Sequence, residues 1–443
     1  MSGKDKKVPR RIAQTVLNSL KGGVVPRVGL PYITVGRKDE IAALLHDVDI
    51  ISEGGASFRF IVGRYGSGKS FLIQAIRNHA MDRGFIVADA DLSPERRLQG
   101  TRGQGLATYR ELIGNLSTKT KPEGGALTLV LDRWIGNAQA ECLKKTGLEP
   151  GDPALTRAVD ERIYDVTSQV SELVHGFEFG KLLSRYYHAY AEGDDEEKAK
   201  VVRWFRGEYA TKREARADLG VGIIITDDDW YDYLKLFAVF FRLAGYAGMV
   251  VMIDELVNIY KIPNAISRQY NYEKLLAMYN DALQGKARYL GIIMGATPQA
   301  LEDKRRGVYS YEALRSRLAE GKFSRPGARD MLAPVIRLDP LGPEEMLVLC
   351  EKLANMHADL YGYDEHITTD DLVKFVKMEY GRVGAATNIT PREIIRDFIE
   401  LLDLMCQHPE LDAAALLKSD EFSYAAPNAV SDDKDPGYAE FTL

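Results

Sequence analysis

Cysteine is scarce in this chain: three residues, Cys142, Cys350 and Cys406, in 443. They are odd in number and far apart, with no CxxC and no Cys/His set at zinc-ligand spacing. That excludes a disulfide framework and a zinc module, and the expectation is reduced, mostly buried thiols. An excess of positive charge is also missing. A formal net charge of −6 and a pI near 5.8 argue against an indiscriminate nucleic-acid binder, though not against a local basic patch. Long apolar runs are missing too. The most membrane-like stretch, 233–253, is interrupted by Lys235 and Arg242 and broken at Gly245 and Gly248. It reads as a buried helix followed by a buried strand rather than a membrane span. The opening MSGKDKKVPRR has no apolar segment and is not read as a secretory signal, and no fixed-period repeat is visible. These exclusions point to a cytoplasmic protein without membrane contact, long enough for two or three compact domains.

What is present is an interrupted α/β pattern. Ile12, Val16 and Leu20 share one face of a short helix over 9–20, stopped by Gly22 and Gly23, and a loop leads to a second helix over 38–51. An apolar strand at 58–62 runs into GRYGSGKS, then a helix over about 70–83 and a strand at 84–91, which is the βαβ unit of a parallel sheet. From 105 to 243 helical signals dominate, with polar loops at 118–125 and 191–197 and a candidate short strand at 221–226. The sheet pattern resumes at 248–255 and 289–298. A charged, glycine-containing loop over 302–331 leads to 335–338, and helices are expected over 343–361, 369–380 and 390–406. The segment 427–443 is polar, holds two prolines and reads as a loose tail.

Gly63-Arg64-Tyr65-Gly66-Ser67-Gly68-Lys69-Ser70 matches GxxxxGK[ST] in full, with Phe71 next in the helix. The glycines let successive backbone N–H groups turn toward the α- and β-phosphates at the positive end of that helix. Lys69 is placed to reach the β- and γ-phosphates and the Ser70 hydroxyl to ligate Mg²⁺. In Val250–Glu255 a buried strand ends in two acids. Asp254 is the candidate second Mg²⁺ ligand, through water, and Glu255 the candidate group that polarises the attacking water. The expected cofactors are therefore ATP and Mg²⁺.

Three further signals are weaker. Thr297, at the end of the 290–294 strand, is either a hydroxyl near the γ-phosphate or a simple helix cap. Arg315 and Arg317 sit two apart on a short helix and so point in different directions. One is a candidate finger into a neighbour's site, Arg317 ahead of Arg315, against an ordinary surface ion pair. Thr390-Pro391-Arg392-Glu393 is a capping box that starts a helix and presents Arg392 in its first turn, where it could sense the γ-phosphate.

The order of these pieces resembles AAA+ ATPases over roughly 30–100 and 245–405. Val35-Gly36-Arg37 is similar to the adenine-side segment of the origin-recognition clade. The resemblance puts Walker A at Gly63–Ser70, Walker B at Val250–Glu255, sensor 1 at Thr297, the arginine box at Arg315/Arg317 and sensor 2 at Arg392 on a small helical lid. Arg10-Arg11-Ile12, GVVPRVGLPYITVG at 23–36, GRYGSGKSF at 63–71, Tyr109-Arg110-Glu111-Leu112 and TPREIIRDF at 390–398 resemble the BrxD-type ATP-binding proteins of bacteriophage-exclusion (BREX) and related defence islands. That resemblance implies a role in antiphage defence beside a helicase-like or DNA-modifying partner, and the AAA+ resemblance implies an ATPase working as a homo-oligomer.

Two departures shape the expected domains. Lys69 and Asp254 lie 185 positions apart, far more than two βα units of roughly 30 residues each require, so the helical block is an insertion. Only 37 residues follow Cys406, too few for a winged helix after the lid. The expected division is an arm at 1–29, ATPase core at 30–104 and 246–340, insertion at 105–245, lid at 341–408 and tail at 409–443. DNA contact stays open through Lys304-Arg305-Arg306, Arg315/Arg317 or Lys4, Lys6, Lys7, Arg10 and Arg11, although short basic runs are more often solvated faces. Three functions compete: an oligomeric ATPase that remodels DNA or a partner, a slow nucleotide switch, and a small-molecule kinase. The Asp-Glu pair, the later sensor-like residues and the long insertion count against the kinase.

Overall fold

The computed structural model describes residues 7–321, 329–363, 367–381, 390–410 and 417. They fall into two compact units. One comprises Lys38–Arg64 and Lys69–Leu338; the other holds the residues up to Arg37, Tyr65–Gly68, and those from Asp339 on.

The first unit is built on a five-stranded, all-parallel sheet of β1 (Ala56–Val62), β2 (Ile86–Asp91), β3 (Met249–Asp254), β4 (Leu290–Ala296) and β5 (Val335–Arg337), in the order β2-β3-β4-β1-β5. The central strands are buried on both faces, which explains their near-continuous apolar runs. Alternate residues serve opposite faces. Ile61, Val250, Met252 and Ile293 meet Leu44, Val48, Leu72 and Ile76 of helices Lys38–Ser52 and Lys69–Asp82. Phe60, Val251, Ile253 and Met294 join a larger core that extends through Leu112, Phe237, Leu275 and Met278 into the helical block. Residues 105–243 thus share one apolar core with the sheet.

The segment 221–226 is not a strand. Val221 and Ile225 are buried, and the Trp204 indole N–H donates to the Ile223 carbonyl at 2.9 Å, so the segment is held by side-chain packing and an indole rather than by a ladder. The free edge of β2 is taken by Ser117, which exchanges backbone hydrogen bonds with Val87 at 3.0 and 2.8 Å. The loop before residue 38 also differs from expectation, since Leu30–Ile33 forms one helical turn.

In the second unit helix Arg10–Lys21 packs with Pro343–Tyr361 and Pro391–Gln407, and Thr369–Gly381 packs on Pro343–Tyr361. Gly29, in the left-handed region, lets the chain press onto the first helix: a Cβ there would lie 2.6 Å from Ile12 and Val16. The tail segment 427–443 lies outside the described residues. No described helix is long and apolar enough to cross a membrane.

Candidate functional site

Parallel strands deliver their carboxyl ends to one edge of a sheet, where ligands of such folds bind. At that edge β1 runs into the glycine loop, β2 ends in Asp91 and β3 in Asp254, and Thr297 follows the end of β4. The loop is anchored where it leaves β1, because Gly63 N donates to the Ala296 carbonyl at 3.1 Å. Gly66 and Gly68 adopt positive φ, 75° and 93°, which lets the chain wind tightly before the helix opens at Lys69.

Two residues 184 positions apart then meet. Ser70 Oγ donates to Asp254 Oδ2 at 3.1 Å, and Asp254 Oδ1 accepts from Glu255 N at 2.8 Å. Lys69 Nζ donates to the Arg64 carbonyl at 3.1 Å, and its charge acts on Glu255. Glu255 itself has φ 61°, a left-handed conformation that a side-chain-bearing residue holds only where its surroundings impose it. Burial pushes its carboxyl above the usual range, the nearby Asp254 and Asp91 carboxylates add to the rise, and Lys69 and Lys261 oppose it.

The loop tip meets residues of its own unit. Arg37, also left-handed at φ 59°, donates from Nη2 to the Ser67 carbonyl at 3.1 Å and to the Asp339 carbonyl at 2.5 Å. Ser67 Oγ is buried and makes no hydrogen bond among the described residues. Thr390 lies against Gly66, and the Arg392 guanidinium carbon sits 5.0 Å from the centroid of the Tyr65 ring. The capping box is formed: Glu393 N donates to Thr390 Oγ1 at 3.4 Å and Thr390 N to Glu393 Oε2 at 3.0 Å. Gly36 (φ 64°) lies so close to the Glu345 carboxylate that any Cβ would collide with it, while Val35 and Phe71 are half-buried.

The remaining candidates are engaged locally. The Thr297 hydroxyl accepts from Ala300 N at 3.2 Å and caps the helix that begins at Pro298. Arg315 pairs with Glu312 of its own helix at 3.5 Å, and Arg317 donates to the Ala313 carbonyl at 2.7 Å. Of the basic runs, Arg306 stacks over Tyr260 at 5.3 Å and Lys7 pairs with Asp359 at 3.0 Å, while Lys4 and Lys6 lie outside the described residues. An open cleft of about 1130 Å³ lined by Arg97, Arg102 and Lys274 carries as many acids, Asp227, Asp228 and Glu273.

Two participants escaped the sequence reading. Asp91 bears on the charge state of Glu255, and its signal was only that the GFIVADAD strand also ends in an acid. Gly295 on β4 faces Asp254 so closely that an added Cβ would overlap the carboxylate. The Tyr109-Arg110 pair has a structural use: Tyr109 OH donates to the Phe205 carbonyl at 2.6 Å and Arg110 Nε to that of Gly207 at 2.8 Å.

The fit to ATP and Mg²⁺ rests on the donors present. A buried serine hydroxyl in the glycine loop, without a hydrogen bond among the described residues, suits a phosphate oxygen, and a hydroxyl beside a carboxylate offers the hard oxygen ligands Mg²⁺ takes together with phosphates and waters.

A parallel sheet with a glycine loop after its first strand, and a strand-end carboxylate against the loop's serine, is the arrangement of a P-loop nucleotide-binding protein. The family comparison is more specific. The chain belongs to the BREX system ATP-binding protein BrxC/D family, whose model matches residues 8–421. No curated protein matches it. Membership makes ATP the nucleotide and the BREX defence system the setting.

Proposed function

We propose that this chain is a Mg²⁺-dependent ATPase, working as a homo-oligomer that couples hydrolysis to remodelling of DNA or a partner protein in phage defence. The observation that carries the hydrolytic reading is the Ser70–Asp254 contact with Glu255 immediately beside it, its carboxyl raised above the usual range. Ser70 and Asp254 would hold the metal, which when bound with ATP offsets charge on the β- and γ-phosphates. Lys69 adds charge on the same side. Glu255 accepts a proton from the water that attacks the γ-phosphorus, and ADP leaves. A carboxylate with a raised pKa is a better proton acceptor than an ordinary one. Thr297, although it accepts a backbone hydrogen bond, keeps its own hydroxyl proton to donate to that water. Arg392 is read as the group that senses the γ-phosphate. Among the described residues Arg315 and Arg317 pair within their own helix, and one guanidinium is read as reaching a neighbouring copy. The helical block at 105–243 is read as the part that takes up a helicase-like or DNA-modifying partner.

Glu255→Gln tests the central claim. The amide keeps the shape and removes the base, so the variant binds ATP and hydrolyses it about 10²–10⁴ times more slowly. Hydrolysis at the parent rate would remove Glu255 from the chemistry.

A further inference from the structure

Tyr65 occupies a position of the GxxxxGK[ST] pattern where any residue is allowed, and the residue is 66% exposed, so it adds little to a core. What lies on the ring is a cation: the Arg392 guanidinium, 5.0 Å from its centroid and within cation–π reach. The stem of Arg392 is directed from the other side. Its backbone starts a helix pinned by the Thr390–Glu393 capping box. Its Cδ runs beside Gly23 (φ 70°): a Cβ there would sit 3.5 Å from that Cδ, at van der Waals contact. Thr390, two residues before Arg392, packs on Gly66, the residue after Tyr65, so closely that a Cβ on Gly66 would meet it at 2.6 Å. Backbone and stem of Arg392 are thus set by the cap and Gly23, and its charged end by the Tyr65 ring. Without the ring the guanidinium, on a long and rotamer-rich stem, spreads into solvent.

We propose that Tyr65 is a positioning residue for Arg392, its ring holding the guanidinium at the tip of the phosphate loop before it engages the γ-phosphate. The proposal rests on reading Arg392 as the γ-phosphate sensor. An exposed cation–π contact biases a population about 2- to 5-fold, which sets the size of the effect.

Tyr65→Ala therefore lowers kcat/KM for ATP hydrolysis about 2- to 5-fold, because fewer molecules hold the guanidinium where it engages the γ-phosphate. Tyr65→Phe recovers what Tyr65→Ala loses, since the ring face is kept. In an Arg392→Ala background Tyr65→Ala costs nothing more. A second readout needs no nucleotide. Trp134, Trp204 and Trp230 are at most 2% exposed, so an indole introduced by Tyr65→Trp is the one that acrylamide reaches. Adding Arg392→Ala uncovers its face and raises quenching. Equal quenching with and without Arg392 overturns the proposal. So does a Tyr65→Ala cost that adds in full to that of Arg392→Ala, which leaves the sensor reading standing. Hydrolysis unaffected by Arg392→Ala overturns the sensor reading and the proposal together, even where the quenching difference persists.

Discussion

Gly295→Ala isolates the geometry on which the site depends. Gly295 lies in the buried interior of β4, and its φ is not left-handed, so alanine suits the backbone. The cost is steric. The new methyl would lie 2.6 Å from Asp254 Cγ and closer still to Oδ1. Either β3 and β4 spread, or Asp254 rotates away from Ser70 Oγ and Glu255 N, at 3.1 and 2.8 Å. Overpacking of this kind costs about 1–3 kcal/mol of stability. Rotation removes hydrogen bonds to a charged group, each worth about 1.5–3 kcal/mol, and takes the carboxylate from the place where the metal is expected. The expected outcome is a folded protein whose affinity for ATP in Mg²⁺ falls about tenfold or more, at 1.4 kcal/mol per factor of ten. Isothermal titration with a non-hydrolysable ATP analogue, with Mg²⁺ and with EDTA, reads the loss. Gly291→Ala is the control on the same strand, because its methyl would meet the flexible end of Ile51 at 2.5 Å rather than Asp254. It should lose stability and keep nucleotide affinity. Parent-like Mg²⁺-dependent binding by Gly295→Ala, or an equal loss in Gly291→Ala, would refute the reasoning.

Hydrolysis should fall on acidification with a midpoint above the ordinary glutamate range, since Glu255 must be ionised to accept a proton and burial, Asp254 and Asp91 all raise its pKa. Asp91→Asn removes a like charge, so a pH–rate profile should show the acid limb moved to lower pH; an unmoved limb would assign it to another group. Asp47→Ala leaves the Arg59 guanidinium buried without its carboxylate, which accepts at 2.5 and 2.8 Å, and should cost about 3–5 kcal/mol in urea denaturation. If Arg317 acts in a neighbour's site, Arg317→Ala and Glu255→Gln chains, each inactive alone, should regain activity when mixed, because one interface then joins an intact Glu255 to an intact Arg317. Co-assembled but inactive mixtures would exclude a trans finger.

Local chemistry made much of this protein legible before folding was considered. GRYGSGKS after an apolar run, and VVMIDE ending in two acids, each announce a strand and the ligand-binding turn at its end, because a parallel strand buried on both faces must be apolar until it reaches the ligand edge. The capping box at Thr390 was equally plain, since its hydrogen bonds reach only three residues. The segment 221–226 misled because a short apolar run shows a willingness to be buried and not whether a partner strand is beside it; Val221 and Ile225 are buried in the helical block instead. Other features depend on distances that no spacing encodes. Asp91 bears on Glu255 only because β2 lies beside β3 in the sheet, and Gly295 is required only because β4 brings it against Asp254. Arg392 meets Tyr65 across more than 300 positions of chain, and only the packing of its unit places a guanidinium on that ring. Sequence by itself determined which groups could hold a phosphate and activate a water, because those are properties of residue types in short order. The tertiary structure alone decided which neighbours tune and position them, because electrostatic and steric effects act through a few ångströms of space whatever the separation along the chain.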